Sequence, residues 1–341
     1  QIDIGTDLSF MDGKLDVTID YYRKTSDDLL LSSPIPPSSG YALPAIINTG
    51  NLLNSGLELE VNYRQRVNDD FNYSINANAA YLKNEILEIN APILAGRINN
   101  GTFATKTEVG RPLGSFFLYE MEGIFQNELE VFTSPTPPGQ NILPGDVKYK
   151  DQNGDGIISD LDRSHVGSPI PDLTFGFSAD LNYKKFDFSL FIAGALGQEI
   201  YNQVATDIEG FYRPFNITKR YYDERWTGEG TSNTQPRASW RAKSNNTRPS
   251  TRFLEDGSFV RLKNIELGYN VGEETFRKFN INSFRIFASA SNLVTLTKYS
   301  GLDPEQTTSN NSTSDGPLAS NIDWGTYPTA ISVSVGLQLT F

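Results

Sequence analysis

The stretch from Ala330 to Phe341 limits the possible folds more than any other part of the chain. Apolar side chains stand at every second position, and small or polar ones lie between them. The apolar set is Ile331, Val333, Val335, Leu337, Leu339 and Phe341. A period of two is that of a β-strand, whose successive side chains point to opposite faces. Such a strand either crosses an outer membrane with its apolar face on lipid, or closes a soluble sandwich with that face turned inward.

The connections between strands separate these two alternatives. Similar alternation recurs along the chain and predicts about ten strands, one of them at 115–121. Some are joined by tight turns such as Asp12-Gly13, and others by polar segments tens of residues long, at 83–172 and 198–256. Regular alternation of tight turns with very long loops is not expected of a soluble sandwich. It is typical of outer-membrane barrels, which have short periplasmic turns and long extracellular loops. We therefore expect an all-β, transmembrane antiparallel β-barrel.

The alternation also assigns the two faces of the expected barrel. The side chains predicted to face lipid are Leu173, Phe175, Phe177, Phe186, Phe188 and Leu190. Those predicted to face a wet lumen include Asp16, Asp20, Glu58, Glu60, Arg64 and Asp180. Glu58 and Glu60 are also a conceivable carboxylate pair for hydrolysis, but solvation in the lumen is the simpler interpretation. The strand from Phe284 has apolar residues on both faces, so its lipid side stays open.

Composition excludes several classes of site. There is no apolar run of the length that a membrane helix needs. This does not exclude a membrane β-barrel, because barrel strands are only half apolar. The chain has no cysteine and one histidine, His165. Disulfides, thiolate metal sites and metal sites with several histidines therefore cannot form within it. We expect His165 to be a loop residue. The net charge of −12 argues against nucleic acid as a partner.

One acidic loop has the spacing of a calcium site. The candidate ligands are Asp151, Asn153, Asp155, the Ile157 carbonyl, Ser159 and Asp162, with Gly156 at the sharp turn. Hard oxygen ligands at this spacing can surround one cation. The last ligand is aspartate rather than glutamate, and no helical pattern flanks the loop. The alternative is an acidic turn that binds nothing.

A long connection is rich in aromatic residues next to arginines. The candidates for contact with a substrate or a partner protein are Phe211, Tyr212, Tyr221, Tyr222, Trp226 and Trp240. Exposed rings could stack on sugars or dock a partner. The alternative is packing within the loop itself.

Several motifs along the chain resemble the SusC/RagA family of TonB-dependent outer-membrane transporters. They are Gly145-Asp-Val-Lys-Tyr-Lys-Asp-Gln-Asn-Gly-Asp-Gly156, Gly167-Ser-Pro-Ile-Pro171, Arg225-Trp-Thr227, Ser258-Phe-Val-Arg-Leu-Lys-Asn264, Ala290-Ser-Asn-Leu293 and Thr297-Lys-Tyr-Ser-Gly-Leu-Asp-Pro-Glu305. The resemblance is collinear over essentially the whole chain.

This resemblance implies more than the residues themselves do. It implies that residues 1–341 are about the last ten strands of a 22-stranded barrel. The plug, the TonB box and the earlier strands would lie outside this sequence. It implies nutrient import (of oligosaccharides or peptides) with a SusD-like surface lipoprotein and TonB as partners, no enzymatic activity, and Phe341 as the signal read by the outer-membrane assembly machinery.

The same alternation of apolar and polar residues leaves two alternatives to import. One is a structural or assembly-associated barrel that has lost transport. The other is a soluble glycan-binding or hydrolytic β-protein, against which the unbroken apolar faces argue.

In a barrel, the last strand must pair on both sides, because an open edge in hydrocarbon leaves backbone groups without hydrogen bonds. We therefore expect that residues 1–341 alone do not close into a stable barrel.

Overall fold

The computed structural model describes residues 1–33, 38, 40, 45–98, 101–211, 215–240, 246–271, 281–305 and 315–340. Its α-helices are α1 (Glu128–Thr133), α2 (Gln203–Glu209) and α3 (Lys219–Glu224), and short 3₁₀ helices lie at Asp160–Asp162, Thr251–Phe253 and Gly316–Ala319. Its strands are β1 (Ile2–Phe10), β2 (Leu15–Ser26), β3 (Leu30–Ser33), β4 (Ala45–Asn48), β5 (Asn51–Arg66), β6 (Phe71–Glu88), β7 (Ile93–Arg97), β8 (Phe103–Thr107), β9 (Ser115–Tyr119), β10 (Met121–Ile124), β11 (Val147–Tyr149), β12 (Arg163–Gly167), β13 (Leu173–Tyr183), β14 (Phe186–Leu196), β15 (Glu199–Asn202), β16 (Leu254–Asp256), β17 (Phe259–Val271), β18 (Ser283–Thr297), β19 (Ile322–Asp323) and β20 (Ser332–Thr340). Among the described residues, no helix has both the length and the apolar character needed to cross a lipid bilayer.

Nine strands form one large antiparallel sheet. Their order is β1-β2-β5-β6-β13-β14-β17-β18-β20, so each strand lies beside the sheet strand that precedes it in the chain. At one end the connections are residues 11–14, 67–70, 184–185 and 272–282. At the other end they are the much longer segments 27–50, 89–172, 197–258 and 298–331. The predicted antiparallel barrel topology, with short turns opposite long loops, is confirmed.

The strand expected at 115–121 belongs to a different sheet. β9 pairs with β8 and β12 in a four-stranded sheet of order β12-β9-β8-β7. Its Phe116 and Leu118 are fully buried, and so are Ser115 and Tyr119 on the opposite face. A strand that is covered on both faces lies in a packed core rather than in a barrel wall. The large sheet therefore has nine strands where the pattern suggested about ten.

The register between strands places the predicted lipid-facing residues together. Residues directly opposite in an antiparallel pair share a face. Phe177 lies opposite Ile192, and Leu181 lies opposite Phe188. The same register puts all six residues predicted to face lipid on one face of β13 and β14. That face runs on to Leu267 of β17, which lies opposite Phe188.

Aromatic rings form a belt on this apolar face near the short turns. Its members are Phe10, Tyr63, Phe71, Tyr73, Tyr183, Phe186, Tyr269 and Phe284. The ring centroids of Phe186 and Tyr269 are 4.9 Å apart, and those of Phe71 and Tyr183 are 6.1 Å apart. A belt of aromatic side chains is typical of the interface between membrane and water in outer-membrane barrels.

Pairing with β20 settles the orientation of β18. Ile286 lies opposite Leu337, and Ala288 lies opposite Val335, so the even-numbered residues share the apolar face. The apolar Phe287 points to the other side, where its ring lies against Gly336. A side chain at that glycine would clash with the ring. Packing of Phe287 over Gly336 on the lumen face therefore explains the apolar residue on the second face of β18.

A bulge in β17 changes which residues face the lumen. Phe191 of β14 pairs with Asn264, but the next residue, Ile192, pairs with Leu262, so Lys263 is an extra residue. An extra residue shifts the alternation by one position. Leu262 therefore takes the apolar face and Arg261 the lumen face, whereas uninterrupted alternation from Asn264 would place Arg261 on lipid.

Polar side chains on the opposite face bond from strand to strand. Arg64 of β5 lies 2.8 Å from Asp16 of β2. The Nδ2 of Asn76 donates to Oδ1 of Asn62 at 2.6 Å. The residues predicted to face the lumen are on this side, with Asp20 directly opposite Glu58. A face of charges and amides suits a wet interior.

The described parts of three long connections pack together into one unit, the loop assembly (the described residues within 89–172, 197–258 and 298–331). One buried cluster draws on all three, with Phe116, Tyr201 and Ile322 among its members. The sheet β16-β15-β19 also joins the last two. A second buried cluster holds Tyr149 and Ile158 within the first connection. Much of the protein's buried core therefore lies in segments whose sequence looks irregular.

Candidate functional site

Some of the predicted aromatic loop residues have packing roles. Tyr221 is fully buried, and its hydroxyl donates to the backbone oxygen of Pro236 at 2.8 Å. The rings of Phe211 and Tyr221 meet edge to face, with centroids 5.2 Å apart. Trp226 packs against the second buried cluster, and its Nε1 donates to Gln126 at 3.2 Å. These three rings hold the loop assembly together.

The remaining aromatic candidates are placed differently. Tyr222 and Trp240 are 59% and 48% exposed, so their rings are accessible to a ligand. The guanidinium of Arg225 lies 4.6 Å from the ring centroid of Tyr222. Tyr212 lies outside the described residues. Stacking by Tyr222 and Trp240 stays a prediction.

The calcium candidate loop is closed by hydrogen bonds from its own backbone. Both oxygens of Asp151 accept backbone N–H groups, from Gly154 at 2.7 Å and Gly156 at 2.9 Å. Asn153 and Asp155 accept N–H groups two residues further on in the same way. These bonds, chiefly that from Gly156, lower the pKa of Asp151, so it is a carboxylate at neutral pH.

The end of this loop is anchored by Asp162. Its side chain is fully buried and accepts N–H groups from Gln152 at 2.9 Å and Ser159 at 2.7 Å. Within the described ranges, no group of three or more acidic, histidine or cysteine side chains is arranged to hold a metal. Each carboxylate oxygen that accepts one N–H group has a second lone pair, which is able to coordinate a cation. Calcium binding by the predicted ligands stays a prediction.

His165 lies in a strand rather than in the expected loop. It belongs to β12, with its Nε2 2.6 Å from Oε1 of Glu108. Its side chain is only 9% exposed, and burial lowers its pKa. The imidazole is therefore neutral at pH 7 and has a structural role in the four-stranded sheet.

A cleft that was not expected from the sequence lies where the long connections leave the sheet. We call it the loop cleft, and it has two halves that share Arg220 and Ser300. The first half is a cavity of about 310 Å³ beside α2, with Val204, Ile208 and Leu302 in its lining. The second is a cavity of about 420 Å³ lined by polar and charged groups. Both volumes fall in the range of about 300–1,000 Å³ that is usual for ligand pockets.

Two acidic residues, the buried Glu209 and the half-buried Glu255, fix the walls of the loop cleft. Glu209 at the end of α2 accepts a hydrogen bond of 2.7 Å from Thr218 and one of 3.1 Å from Arg220. Glu255 of β16 accepts bonds of 2.8 Å from both the N–H and the hydroxyl of Ser300. The two charged walls are therefore formed before any ligand arrives.

The sequence contains a signal for α2, the helix that forms one wall of this cleft. Asn202 caps the helix by accepting the N–H of Ala205 at 2.8 Å, and Gly210 follows its last residue. Asparagine before a helix and glycine after it are the usual boundaries. Val204 and Ile208 are spaced one helical turn apart, so they present one apolar face.

Comparison with known proteins agrees with this architecture. Residues 1–293 match the family model described as TonB dependent receptor-like, beta-barrel. TonB-dependent receptor P3 of Formosa agariphila is 33% identical over 100% of this chain and 34% of its own length. TonB-dependent receptor SusC of Bacteroides thetaiotaomicron is 27% identical over 99% of this chain and 31% of its own length.

The solved structures agree at the level of the fold. The structure of the RagAB peptide transporter superposes with a TM-score of 0.78 at 24% identity, covering 99% of this chain and 34% of that chain. The chain thus spans about a third of the length of the relatives that it matches. Its nine-stranded sheet with an apolar outer face, its loop assembly and the family match agree with one another: the chain belongs to the TonB-dependent receptor-like β-barrel family, as a SusC-like protein of the outer membrane.

Proposed function

We propose that the chain is the C-terminal part of the barrel of an importer that takes up oligosaccharides or peptides with energy delivered by TonB. The observation that carries this proposal is the open, nine-stranded antiparallel sheet, apolar on one face and charged on the other. Such a wall separates lipid from an aqueous path. As part of a transporter, the chain is not expected to catalyse a reaction.

The proposed partners lie on the two sides of the membrane. A SusD-like surface lipoprotein meets the loop assembly, which is the extracellular end in this proposal. TonB acts from the periplasmic side, through parts of the protein other than residues 1–341. The apolar face contacts the lipid bilayer.

The test is uptake by intact cells. A strain that lacks the gene and a strain that lacks TonB are each given labelled oligosaccharides and labelled peptides, and the label taken up is counted. Import predicts that both strains lose uptake of the same compounds, and that the gene on a plasmid restores it only when TonB is present. Unchanged uptake together with a leaky outer membrane would instead favour a structural barrel that has lost transport.

We further propose that the loop from Asp151 to Asp162 binds calcium and thereby stabilises the loop assembly. Calcium is expected to slow proteolytic cleavage near Gly154, because a cation would hold the loop oxygens together. Replacing Asp151 and Asp155 with asparagine together should remove this protection and the heat of calcium binding in calorimetry. Asp12→Asn, in a turn at the other end of the sheet, is the control. Equal cleavage with calcium and with a chelator would contradict the proposal.

Phe341 lies outside the described residues, and its role as an assembly signal stays a proposal. Deleting Phe341 is expected to lower the amount of folded protein in the outer membrane several-fold. The readout is the heat-modifiable band in gels of outer-membrane fractions. Phe341→Tyr, which keeps an aromatic terminus, should restore the level. Unchanged levels after the deletion would exclude the assembly role.

A further inference from the structure

We propose that the loop cleft binds short peptides, by holding an aliphatic side chain in its first half and the charged and amide groups next to that side chain in its second half. The proposal rests on the proposed import function and narrows its substrate class. It follows from the chemistry of the lining and from the position of the cleft.

The first half suits an aliphatic side chain. Val204, Ala205 and Ile208 of α2 form one wall, and Leu302 lies in the lining with them. Leu302 is 65% exposed, although it follows the anchored Ser300 closely. An exposed leucine beside an aliphatic wall gains from covering by an apolar group, because burial removes its surface from water.

The second half carries charges of both signs. Arg220, Arg252 and Lys298 are its cations, and Glu122 and Glu255 are its anions. Arg252 is 3% exposed and lies 3.6 Å from Glu209, so its charge is compensated within the protein. Lys298 is exposed and accessible to a carboxylate. A peptide offers carboxylate, ammonium and amide groups, whereas an oligosaccharide of unsubstituted neutral sugars offers only hydroxyl and ether oxygens.

Aromatic residues are missing from the lining, which argues against a sugar. Among the described residues that line the two cavities, none is phenylalanine, tyrosine, tryptophan or histidine. The apolar face of a sugar ring packs best on a flat aromatic ring. The nearby Tyr221 and Trp226, which could have formed such a platform, are used in packing elsewhere.

The position of the cleft is suitable for a substrate on its way into the barrel. Part of its lining comes from residues shortly after β14, shortly before β17 and shortly after β18, where long connections leave the sheet. Further lining comes from residues 121–123 and 233–235 of the loop assembly. A peptide held there lies at the mouth of the barrel.

The experiment uses the protein purified from outer membranes in detergent. It is incubated with a tryptic digest of casein, and the retained peptides are identified by mass spectrometry. Wild type should retain peptides enriched in leucine, isoleucine and valine. Leu302→Asp should reduce retention at least about tenfold, because it places a carboxylate in the aliphatic half. Leu129→Asp is the matched control, since Leu129 is 71% exposed and lies in α1, outside the cleft.

The outcomes separate this inference from the import function. Equal retention by Leu302→Asp and the control, or no retention by wild type, would overturn the peptide site. Binding of maltoheptaose is measured by calorimetry for comparison. If wild type binds this sugar and Leu302→Asp does not, the peptide site would also be overturned. The test of import measures uptake by cells and does not use this variant. The import function can therefore be supported even when the peptide site is excluded.

Discussion

Arginine in place of Leu190 is expected to lower the free energy of unfolding by about 2–4 kcal/mol. Leu190 stands near the middle of β14, opposite Ala179 of β13 and Ile265 of β17 on the apolar face. A guanidinium at mid-strand would lie in hydrocarbon, where hydration is lost and the cost is greatest. The measurement is a urea titration of the protein refolded in lipid vesicles, followed by tryptophan fluorescence.

The size of the effect should depend on depth. Phe188 is two residues nearer the short turn at 184–185 than Leu190 is. Phe188→Arg should therefore cost less than Leu190→Arg, because the penalty falls to about 0–1 kcal/mol near the interface. Equal costs at the two positions would contradict the assigned membrane depth.

A neighbouring residue on the other face supplies the control. Ser189 lies opposite Asp180 and Glu266, both on the lumen side. Ser189→Arg would place a cation between two carboxylates in water, so little stability should be lost. If Ser189→Arg destabilised the protein as much as Leu190→Arg, the assignment of the faces would be inverted.

Removing the carboxylate of Asp303 is expected to lower the free energy of unfolding by about 3–5 kcal/mol. Asp303 lies 2.5 Å from Arg261, and both side chains are 3% exposed. Arg261 also donates to Thr295 at 2.8 Å and to Glu305 at 2.7 Å, and Asp303 accepts the N–H of Thr329 at 2.9 Å. These bonds attach the last long connection to the barrel wall. Asp303→Ala would leave a buried charge without its closest partner.

A double variant distinguishes a lost ion pair from lost packing. Arg261→Met together with Asp303→Leu should recover most of the stability, because neither side chain then carries a buried charge. Asp223→Ala is the control, since it breaks the exposed pair of Lys219 and Asp223 on α3, which should contribute about 0–1 kcal/mol. A double variant no more stable than Asp303→Ala would show that the ion pair is not the main contribution.

The same pair predicts a dependence on pH. Burial acts to raise the pKa of Asp303, but hydrogen bonds from Thr329 and Arg261 outweigh it and hold the pKa below its ordinary value of 3.8. The stabilisation by the ionised group is therefore complete above that value and is lost as the pH falls through the lower pKa of the folded state. The stability difference between wild type and Asp303→Ala should be constant from pH 7 to about pH 4 and shrink below it.

The fold class could be predicted from the sequence because lipid and water act on each strand residue separately. The alternation at Leu173–Leu181 and Phe186–Leu190 needed no knowledge of neighbouring strands, and the register agrees with it. The short turns and long connections were also visible, since turn residues and polar segments are local features. The family resemblance came from the same local motifs.

The loop assembly could not be predicted in the same way. Its strands are two to five residues long, and their buried residues pack with residues distant in the chain, as Phe116 does in one cluster with Tyr201 and Ile322. Alternation fails where both faces are buried, so β9 could not be assigned to its sheet. The loop cleft was missed for this reason as well, since its halves combine α2 with Ser300 and Leu302.

The sequence by itself determined that strands of this chain have one apolar and one polar face, and which residues of β13 and β14 belong to each. Only the tertiary structure decided where that alternation breaks. At Lys263 one extra residue in β17 moves Arg261 from the apolar face to the lumen face, where Asp303 is within reach. The physical reason is that a bulge is defined by the partner strand: whether a residue is paired or extra depends on the hydrogen bonds of its neighbour, which the order of residues in one strand does not contain.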